Sequence, residues 1–336
     1  MKKRYDAANM LSNARFSCQD AQSIMVSLER RLTLHQLRIF KTVVDLGGVT
    51  RAAQALHLTQ PAVSHQVQAM ARGLGHPVFQ PGLRTVTLTP MGVALYERAG
   101  RILGLVREAG EAIDDLAGLH AGTLTVAGDT TVGVYVLPDA LATFRAAHPH
   151  IRLSLEVVNR SQVRTRLLGG DADLGVVGRL WDDGLFEAEE LLRNHLMCFS
   201  APNHPLQARP SLQPAHLLEG PLLLREPGSG TRESAEAILR SAGVDPVPAM
   251  QIASNGALKR AVARGLGVTV LSVYAVRLEV QLGQLRPLPV AGFPAHRMWH
   301  VIWPRERLLS PAAQAFREHL HAPGWRTELD AVMGHE

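Results

Sequence analysis

The chain has 336 residues, 46% of them hydrophobic and 19% charged, with a formal net charge of +5. That length suits two or three domains, and no apolar run reaches the ~20 residues a membrane-spanning helix needs. The start, "MKKRYDAANML", is basic with no apolar stretch of ~7–15 residues behind it, so no secretory leader is expected, and Cys18 and Cys198 supply neither a disulfide framework nor a metal-ligand spacing. A reducing cytoplasm is the expected compartment. The charge is uneven: residues 25–90 hold seven Lys/Arg against two Asp/Glu, whereas residues 91–336 hold 24 against 26. An N-terminal module that meets a polyanion, followed by a body that does not, is the reading of that asymmetry.

Residues 1–31 lack periodicity and read as a loose extension, with Met25 as a second candidate start. From Thr33 the pattern turns helical. "TLHQLRIFKTVVDLGG" spaces Leu34, Leu37, Phe40 and Val44 three to four apart, with Thr33 as cap and Gly47-Gly48 as stop. "TRAAQALHL" is a short second helix, expected to be capped by Thr50 and to turn Ala52, Ala53 and Leu56 inward. "TQPAVSHQVQAMARGLG" is a third, with Thr59 as cap, Pro61 in the first turn and Val63, Val67 and Met70 inward. Two short helices ending just before a capped third make a helix-turn-helix, and the small Ala52 and Ala53 allow the helices to cross closely. The outward side of the third helix carries Gln60, Ser64, His65 and Gln68, all polar and none acidic. Hydroxyl, amide and imidazole groups are what base edges and phosphates accept in a major groove. "FQPGLRTVTLT" then reads as a β-hairpin wing with Arg84 near its tip.

Thr89-Pro90 begins a long helix in which Leu95, Ala99, Ile102, Val106, Ala109, Ile113 and Leu116 step by alternating four and three. That heptad seam wants a partner helix, and readers of two half-sites are dimers. From Gly122 the grammar changes to alternating strands and helices. "TLTVAG", "IRLSLEVV", "ADLGVVG", "PLLLRE", "MQIAS", "VTVLS" and "RMWHVIW" are the strands. "VLPDALATFRAAHP", "SQVRTRLLGG", "RESAEAILRSAG", "ALKRAVARGLG" and "SPAAQAFREHL" are the helices. The order predicts parallel, doubly wound sheet in two α/β lobes, and such folds bind ligands at the carboxyl ends of the strands.

At these residues the chain resembles the LysR-type transcriptional regulators. "LHQLRIF", "AAQALHLTQPAVSHQV", "VTLTPMG", "LPDALATFRAAHP" and "GLGVTVLS" follow the family pattern in order and spacing over about residues 32–320. "REPGSGTR" and "LRPLPVAGF" add a finer resemblance to the subgroup controlling carbon dioxide fixation (RuBisCO) operons; another metabolic operon is the alternative. The resemblance implies an α/β chain with an all-α-rich winged helix-turn-helix at residues 32–90. A linker helix for dimerisation at 91–120 follows, then two Rossmann-like lobes resembling a periplasmic binding protein at 121–322 and a tail at 323–336. It implies double-stranded operator DNA as partner, a homodimer or homotetramer, a small-molecule effector, and RNA polymerase as a further partner where the regulator activates. Gln60, Pro61, Ser64 and His65 become groove contacts on this resemblance, and Arg84 a minor-groove or phosphate contact. Thr50, Arg51, Thr59, Gln68 and Arg72 complete the expected DNA face. The chain departs from the family at Met70-Ala71, where Leu-Glu is usual, at Gln80 for arginine and at Val49 for serine. Operator affinity is therefore expected to rest on Arg51, Arg72 and Arg84.

The stretch "REPGSGTR", Arg225–Arg232, first suggests a phosphate site. Helix starts near Thr130 and Thr131, Ser161, Ser229 and Thr231, and Ser254 and Asn255 each offer free N–H groups and a positive dipole end. Singly these are ordinary caps; following several strands of a two-lobed fold, they can converge on one cleft. Thr130, Thr131, Ser161, Ser229, Thr231, Arg232 and Asn255 are the candidate effector residues, with Arg232 as a clamp or an outward ion pair. The expected ligand is a phosphorylated or carboxylated metabolite or NADPH, with no bound cofactor and no metal. The rivals are weak. A phosphate-binding loop of the nucleotide type needs a lysine that "GSGTR" lacks, and neither a nucleophile elbow nor "HExxH" occurs. His148 and His150 read as a solvated turn, and Asp171 and Asp173 as a tight turn entering a strand. A transport binding protein would suit the lobes but not the basic front module.

Overall fold

A computed structural model describes residues 32–80, 86–116 and 122–326. The chain forms two compact units, one ending at Leu105 and the other starting at Val106.

In the first unit α1 (Leu34–Asp45) starts at a capping box: Thr33 Oγ1 accepts from Gln36 N, and the Gln36 side chain reaches back to Thr33 N. Its buried stripe is Leu37, Ile39, Phe40 and Val43, and Leu34, counted on the apolar face, is exposed. The short α2 (Val49–Ala55) begins two residues earlier than a cap at Thr50 would place it. Gly48 holds the cap position without a side-chain bond, so Thr50 is not a cap. Val49 packs beside the buried Ala52 and Ala53, which explains why an apolar residue is tolerated there. Helix α3 (Gln60–Leu74) is capped by Thr59, carries Pro61 in its first turn and stops at Gly75, whose φ of 73° is left-handed. Val63 and Met70 are its fully buried residues. The wing's base is paired, with Phe79 bridging Leu88 and Gln80 N donating to Thr87 O at 2.8 Å. Arg84 and the tip, residues 81–85, lie outside the described residues.

Helix α4 (Pro90–Leu116) starts where Thr89 Oγ1 accepts from Gly92 N at 3.0 Å and donates to Pro77 O at 2.8 Å. Gly92 is required: a Cβ there would stand 2.0 Å from Val78 O. Along the heptad seam Ala99 is buried, but Ile102, Val106 and Ile113 are 38%, 45% and 66% exposed, leaving an apolar stripe open.

The second unit contains one mixed nine-stranded sheet. One lobe carries β1 (Thr123–Asp129), α5 (Thr130–Tyr135), α6 (Leu137–Ala147), β2 (Arg152–Val158), α7 (Arg160–Leu168) and β3 (Leu174–Val177). The long β4 (Phe186–Ser200) crosses to the other lobe. There follow β5 (Leu222–Leu224), α8 (Gly230–Ser241), β6 (Met250–Gln251), α9 (Asn255–Ala263), β7 (Val268–Ser272), α10 (Val273–Gln281) and β8 (Arg286–Leu288). Then β9 (Ala295–Pro304) returns, and α11 (Pro311–His321) closes the first lobe. The order is β2-β1-β3-β9-β4-β7-β5-β6, with β8 on β4. Within the lobes β1 pairs with β2 and β3, and β5 with β6 and β7, all parallel. The purely parallel sheet expected from the strand–helix alternation is corrected by β4 and β9, which pair antiparallel with each other, with β3 and with β7.

Phe144 of α6 meets Phe316 of α11 edge-on at 5.0 Å, over Trp299 and the strands of the first lobe. Leu222, Leu224, Leu239 and Val268 fill the second. Asp171 Oδ2 lies 3.7 Å from Arg166 Nη1, and Asp173 is structural. Asp173 Oδ1 accepts from Arg107 at 2.8 Å and Arg307 at 2.9 Å, and Oδ2 accepts from Thr125 N at 2.8 Å. Removing a buried carboxylate strands its partners, so Asp173→Ala is expected to cost about 3–5 kcal/mol, read as a lowered urea midpoint for this unit. An unchanged midpoint would show that these bonds are not structural.

Candidate nucleic-acid interface and ligand cleft

The outward side of α3 presents Gln60, Pro61, His65, Gln68 and Arg72 to solvent, with Ser64 half-buried among them. Thr50, Arg51 and Thr59 are exposed on the same unit. Thr50, Arg51, Ser64 and Gln68 line one hollow together with Gln80 and Thr87 of the wing base, so α2, α3 and the wing meet around it. On the expected DNA face, Arg51 Nη2 donates to the carbonyl of Gly47 at 3.4 Å. Gln80, standing where the family usually has arginine, donates to Leu88 O at 3.3 Å and closes the hairpin as a neutral group. Ala71, half-buried, packs against the cluster around Phe40 and Met70. The face is thus polar and cationic, with no carboxylate on the outward side of α3, as an element that approaches phosphates requires.

In the second unit, strand-to-helix junctions from both lobes meet at one seam. β1 runs into α5, which is capped by Asp129, and β2 into α7, which is capped by Asn159. β5 leads through "REPGS" into α8, capped by Ser229, and β6 leads into α9, capped by Ser254. Asn159, not Ser161, is therefore the cap of α7, and Ser161 Oγ donates back to Asn159 Oδ1 at 2.8 Å. Gly228 has φ 83° and lies so close to Ser161 that a Cβ would stand 2.9 Å from its Oγ.

Arg225 sits at the centre with 1% of its surface exposed. Its Nε and Nη2 donate to the Glu226 carboxylate at 2.9 and 3.1 Å, and Nη2 also donates to Ala253 O at 3.1 Å and Thr130 Oγ1 at 3.3 Å. Nη1 donates to Asn255 Oδ1, whose amide nitrogen is buried without a protein partner. Across the seam Thr131 Oγ1 and Thr231 Oγ1 stand 3.5 Å apart. Arg160 Nη1 donates to Glu233 at 2.7 Å while its Nε and Nη2 hold the carbonyls of Arg179 and Leu180 and its plane lies 4.0 Å over the Trp181 ring. Burial pulls the Arg160 guanidinium below its ordinary value, against the pull of Glu233. Burial pushes the Asp129 carboxyl up, opposed by the amides of Gly178 and Val132 that donate to it and by the Arg225 charge.

Of the expected ligand residues, Thr130, Thr131, Ser229 and Thr231 surround this seam, with Asn255 beside it. Arg232 does not line it: its Nε binds Glu236 at 2.6 Å and its Nη1 the carbonyl of Arg225 at 3.0 Å, an ion pair mostly shielded from solvent. Sequence reading missed Arg160, Arg225 and Asp129. The signal for Arg225 was its place directly after the apolar "PLLL". Cys198 is buried and its thiol is pushed well above its ordinary value by burial, so it is not a reactive sulfur. His148 and His150 are exposed, and among the described residues no group of three metal-ligating side chains converges. No described helix is long and apolar enough to cross a membrane.

The comparisons with known proteins agree along nearly the whole chain. Residues 34–93 match the model for the bacterial regulatory helix-turn-helix protein, lysR family, and residues 117–323 the LysR substrate binding domain. A RuBisCO operon transcriptional regulator of Acidithiobacillus ferrooxidans is 38% identical over 87% of this chain and 94% of its own length. The transcriptional activator CmpR of a Synechocystis strain is 35% identical over 87% of this chain and 96% of its own. Among solved structures, the regulatory domain of CcmR from Synechocystis in complex with 2-PG superposes with a TM-score of 0.56 at 31% identity, covering 59% of this chain and 95% of that one.

Arg225→Met leaves Glu226, Asn255 and Thr130 without their shared donor. The expected cost is about 3 kcal/mol, seen as a lowered thermal midpoint of the second unit; a midpoint equal to wild type would contradict the central place given to this side chain.

Proposed function

The chain belongs to the LysR family of DNA-binding transcriptional regulators, and from that premise we propose that it controls carbon-fixation genes in response to a small phosphorylated acid held between its two lobes. The observation that carries the ligand reading is the seam itself. Hydroxyls from both lobes, Thr131 and Thr231, come within 3.5 Å of each other beside the guanidinium of Arg225 and the start of α8. A phosphate or carboxylate entering there meets hydroxyls, helix N–H groups and a fixed positive charge together. The 2-PG held by the regulatory domain of CcmR and the RuBisCO operon regulator among the relatives support the choice of ligand class and target.

On DNA, Gln60, Pro61, Ser64, His65 and Gln68 enter the major groove, and Thr50, Arg51, Thr59, Arg72 and the wing residue Arg84 hold the backbone. The open seam of α4, with Ile102, Val106 and Ile113 exposed, takes the same helix of a second copy, and dimers pair into a tetramer. Activation then follows by contact with RNA polymerase. A ligand at the lobe seam binds one arrangement of the lobes more tightly than another and so shifts their balance by its differential affinity.

The expected results are specific. Gel shifts on the DNA upstream of a carbon-fixation operon show a selective complex whose mobility or affinity changes with 2-phosphoglycolate. Loss of selectivity over random DNA, with and without the acid, would refute the reading. His65→Ala reduces discrimination between operator and random DNA by about 1–3 kcal/mol without lowering the thermal midpoint. Arg72→Gln weakens both and lowers the salt slope of binding by roughly 0.9. Thr131→Val retains DNA binding and loses the response to 2-phosphoglycolate; an intact response would remove Thr131 from the ligand site.

A further inference from the structure

Helix α1 ends at Asp45, a carboxylate on its last residue. The helix dipole disfavours an acid there, and the turn does not call for one: the chain leaves α1 through Leu46, whose N–H donates to Thr42 O at 3.1 Å. The partners of Asp45 explain its place. Oδ2 accepts from Lys41 Nζ at 2.9 Å, one turn earlier on α1, and Oδ1 accepts from the Tyr96 hydroxyl of α4 at 2.5 Å. Lys41 is 6% exposed, and its Nζ stands 5.1 Å from the centre of the Tyr96 ring. A lysine taken this far out of water needs a counter-charge, which Asp45 supplies. The phenol then fixes the other oxygen of that carboxylate.

Two further contacts hold the root of α4 to the segment between α3 and the wing. Thr89 Oγ1 donates to Pro77 O at 2.8 Å, and Gly92 lies so close to Val78 O that no Cβ fits. These fix where α4 starts. The bond from Tyr96, one turn further on and to a different helix, fixes the direction in which it leaves. Leu95 and Tyr96 also rest on the cluster of Phe40, Met70 and Val78. Apolar contact is non-directional, whereas a hydroxyl bonded to one carboxylate oxygen has a preferred distance and angle. Direction matters because α4 is long and its apolar seam extends to the exposed Ile113. From Tyr96 to Ile113 is roughly 25 Å of helix, so a swing of about 10° moves that end by about 4 Å. The rise of one base pair is about 3.4 Å.

We propose that Lys41, Asp45 and Tyr96 are positioning residues for DNA. They set the angle between the reading helix α3 and the seam of α4, and through it the spacing of half-sites that a pair of chains accepts. The proposal rests on the reading of α4 as the seam that takes a second copy. Two readers joined at such a seam fit half-sites at a separation set by the joint. A loosened joint therefore leaves each reader's choice of bases intact and relaxes the distance between the two.

The test is selection of binding sites from random DNA by the full chain, as wild type, Tyr96→Phe and Asp45→Ala. Fluorescence anisotropy follows on the selected pair of half-sites, and on versions with one base pair added or removed between them. Wild type is expected to select paired half-sites at one spacing. Tyr96→Phe keeps the ring and its packing, selects the same half-site sequence at several spacings, and loses at least about threefold of the preference for the wild-type spacing. Asp45→Ala removes the acceptor itself and gives the same outcome, so each variant reads the brace should the other fail to fold. A role in folding alone would lower the thermal midpoint and weaken binding equally at every spacing, and that result overturns the proposal. A changed half-site sequence overturns it too. Single half-sites selected by wild type overturn the dimer reading of α4 and the proposal with it, whereas paired sites whose spacing preference both variants retain overturn the brace alone.

Discussion

A guanidinium taken out of water must be surrounded by acceptors, and Arg225 imposes that demand at the junction of the two lobes. Its donors reach Glu226 on its own loop, the carbonyl of Ala253 and Oδ1 of Asn255 on the next strand-to-helix turn, and Thr130 on the other lobe. Because the fork is planar and rigid, those groups are held in one mutual arrangement. The loop that follows can then turn sharply at Gly228, lie against Ser161 and deliver Thr231 to Thr131. The seam's geometry is thus the consequence of one buried charge and the short connections around it.

The same constraint separates what is fixed from what can move. Asp173, bound by Arg107, Arg307 and an amide of β1, secures the far end of the first lobe. The seam is crossed by polar contacts, Thr131 to Thr231, Arg225 to Thr130 and Arg160 to Glu233, together with the approach of Gly228 to Ser161 and of Lys259 to the Tyr135 ring, beside the crossing strands β4 and β9. A few polar bonds of roughly 0.5–3 kcal/mol each are a barrier that a ligand of ordinary affinity can offset. The repertoire suits a regulator: a DNA-reading unit, and a second unit whose lobes meet through polar contacts that a ligand can replace.

Much of this was legible in the residues. Thr33, Thr59 and Thr89 announced helix starts that the structure contains, because a hydroxyl that caps a helix acts within three residues. The buried Ala52 and Ala53 marked the close helix crossing by size alone. Thr50 misled because Val49 already adopts helical geometry and its side chain is needed in the core. β4 escaped notice since "FEAEELLRNHLMCFS" mixes acids and apolar residues without strict alternation, and its register shifts between Glu190 and Leu192. α10 was hidden because Val268–Ser272 runs straight into Val273–Gln281 with no glycine or proline between. Arg225, Arg160 and Asp129 could not be ranked from spacing, since their roles depend on contacts 19 to 95 residues away.

The central claim is that an acidic phosphate ligand enters at Thr131 and Thr231 and changes how the lobes meet. A crystal structure of the full chain grown with 2-phosphoglycolate tests it most directly. The account predicts the phosphate between these two hydroxyls, within hydrogen-bonding reach of both and of the α8 start, with their mutual 3.5 Å contact replaced by contacts to the ligand. An occupied ligand elsewhere, with Thr131 and Thr231 still touching, would contradict it.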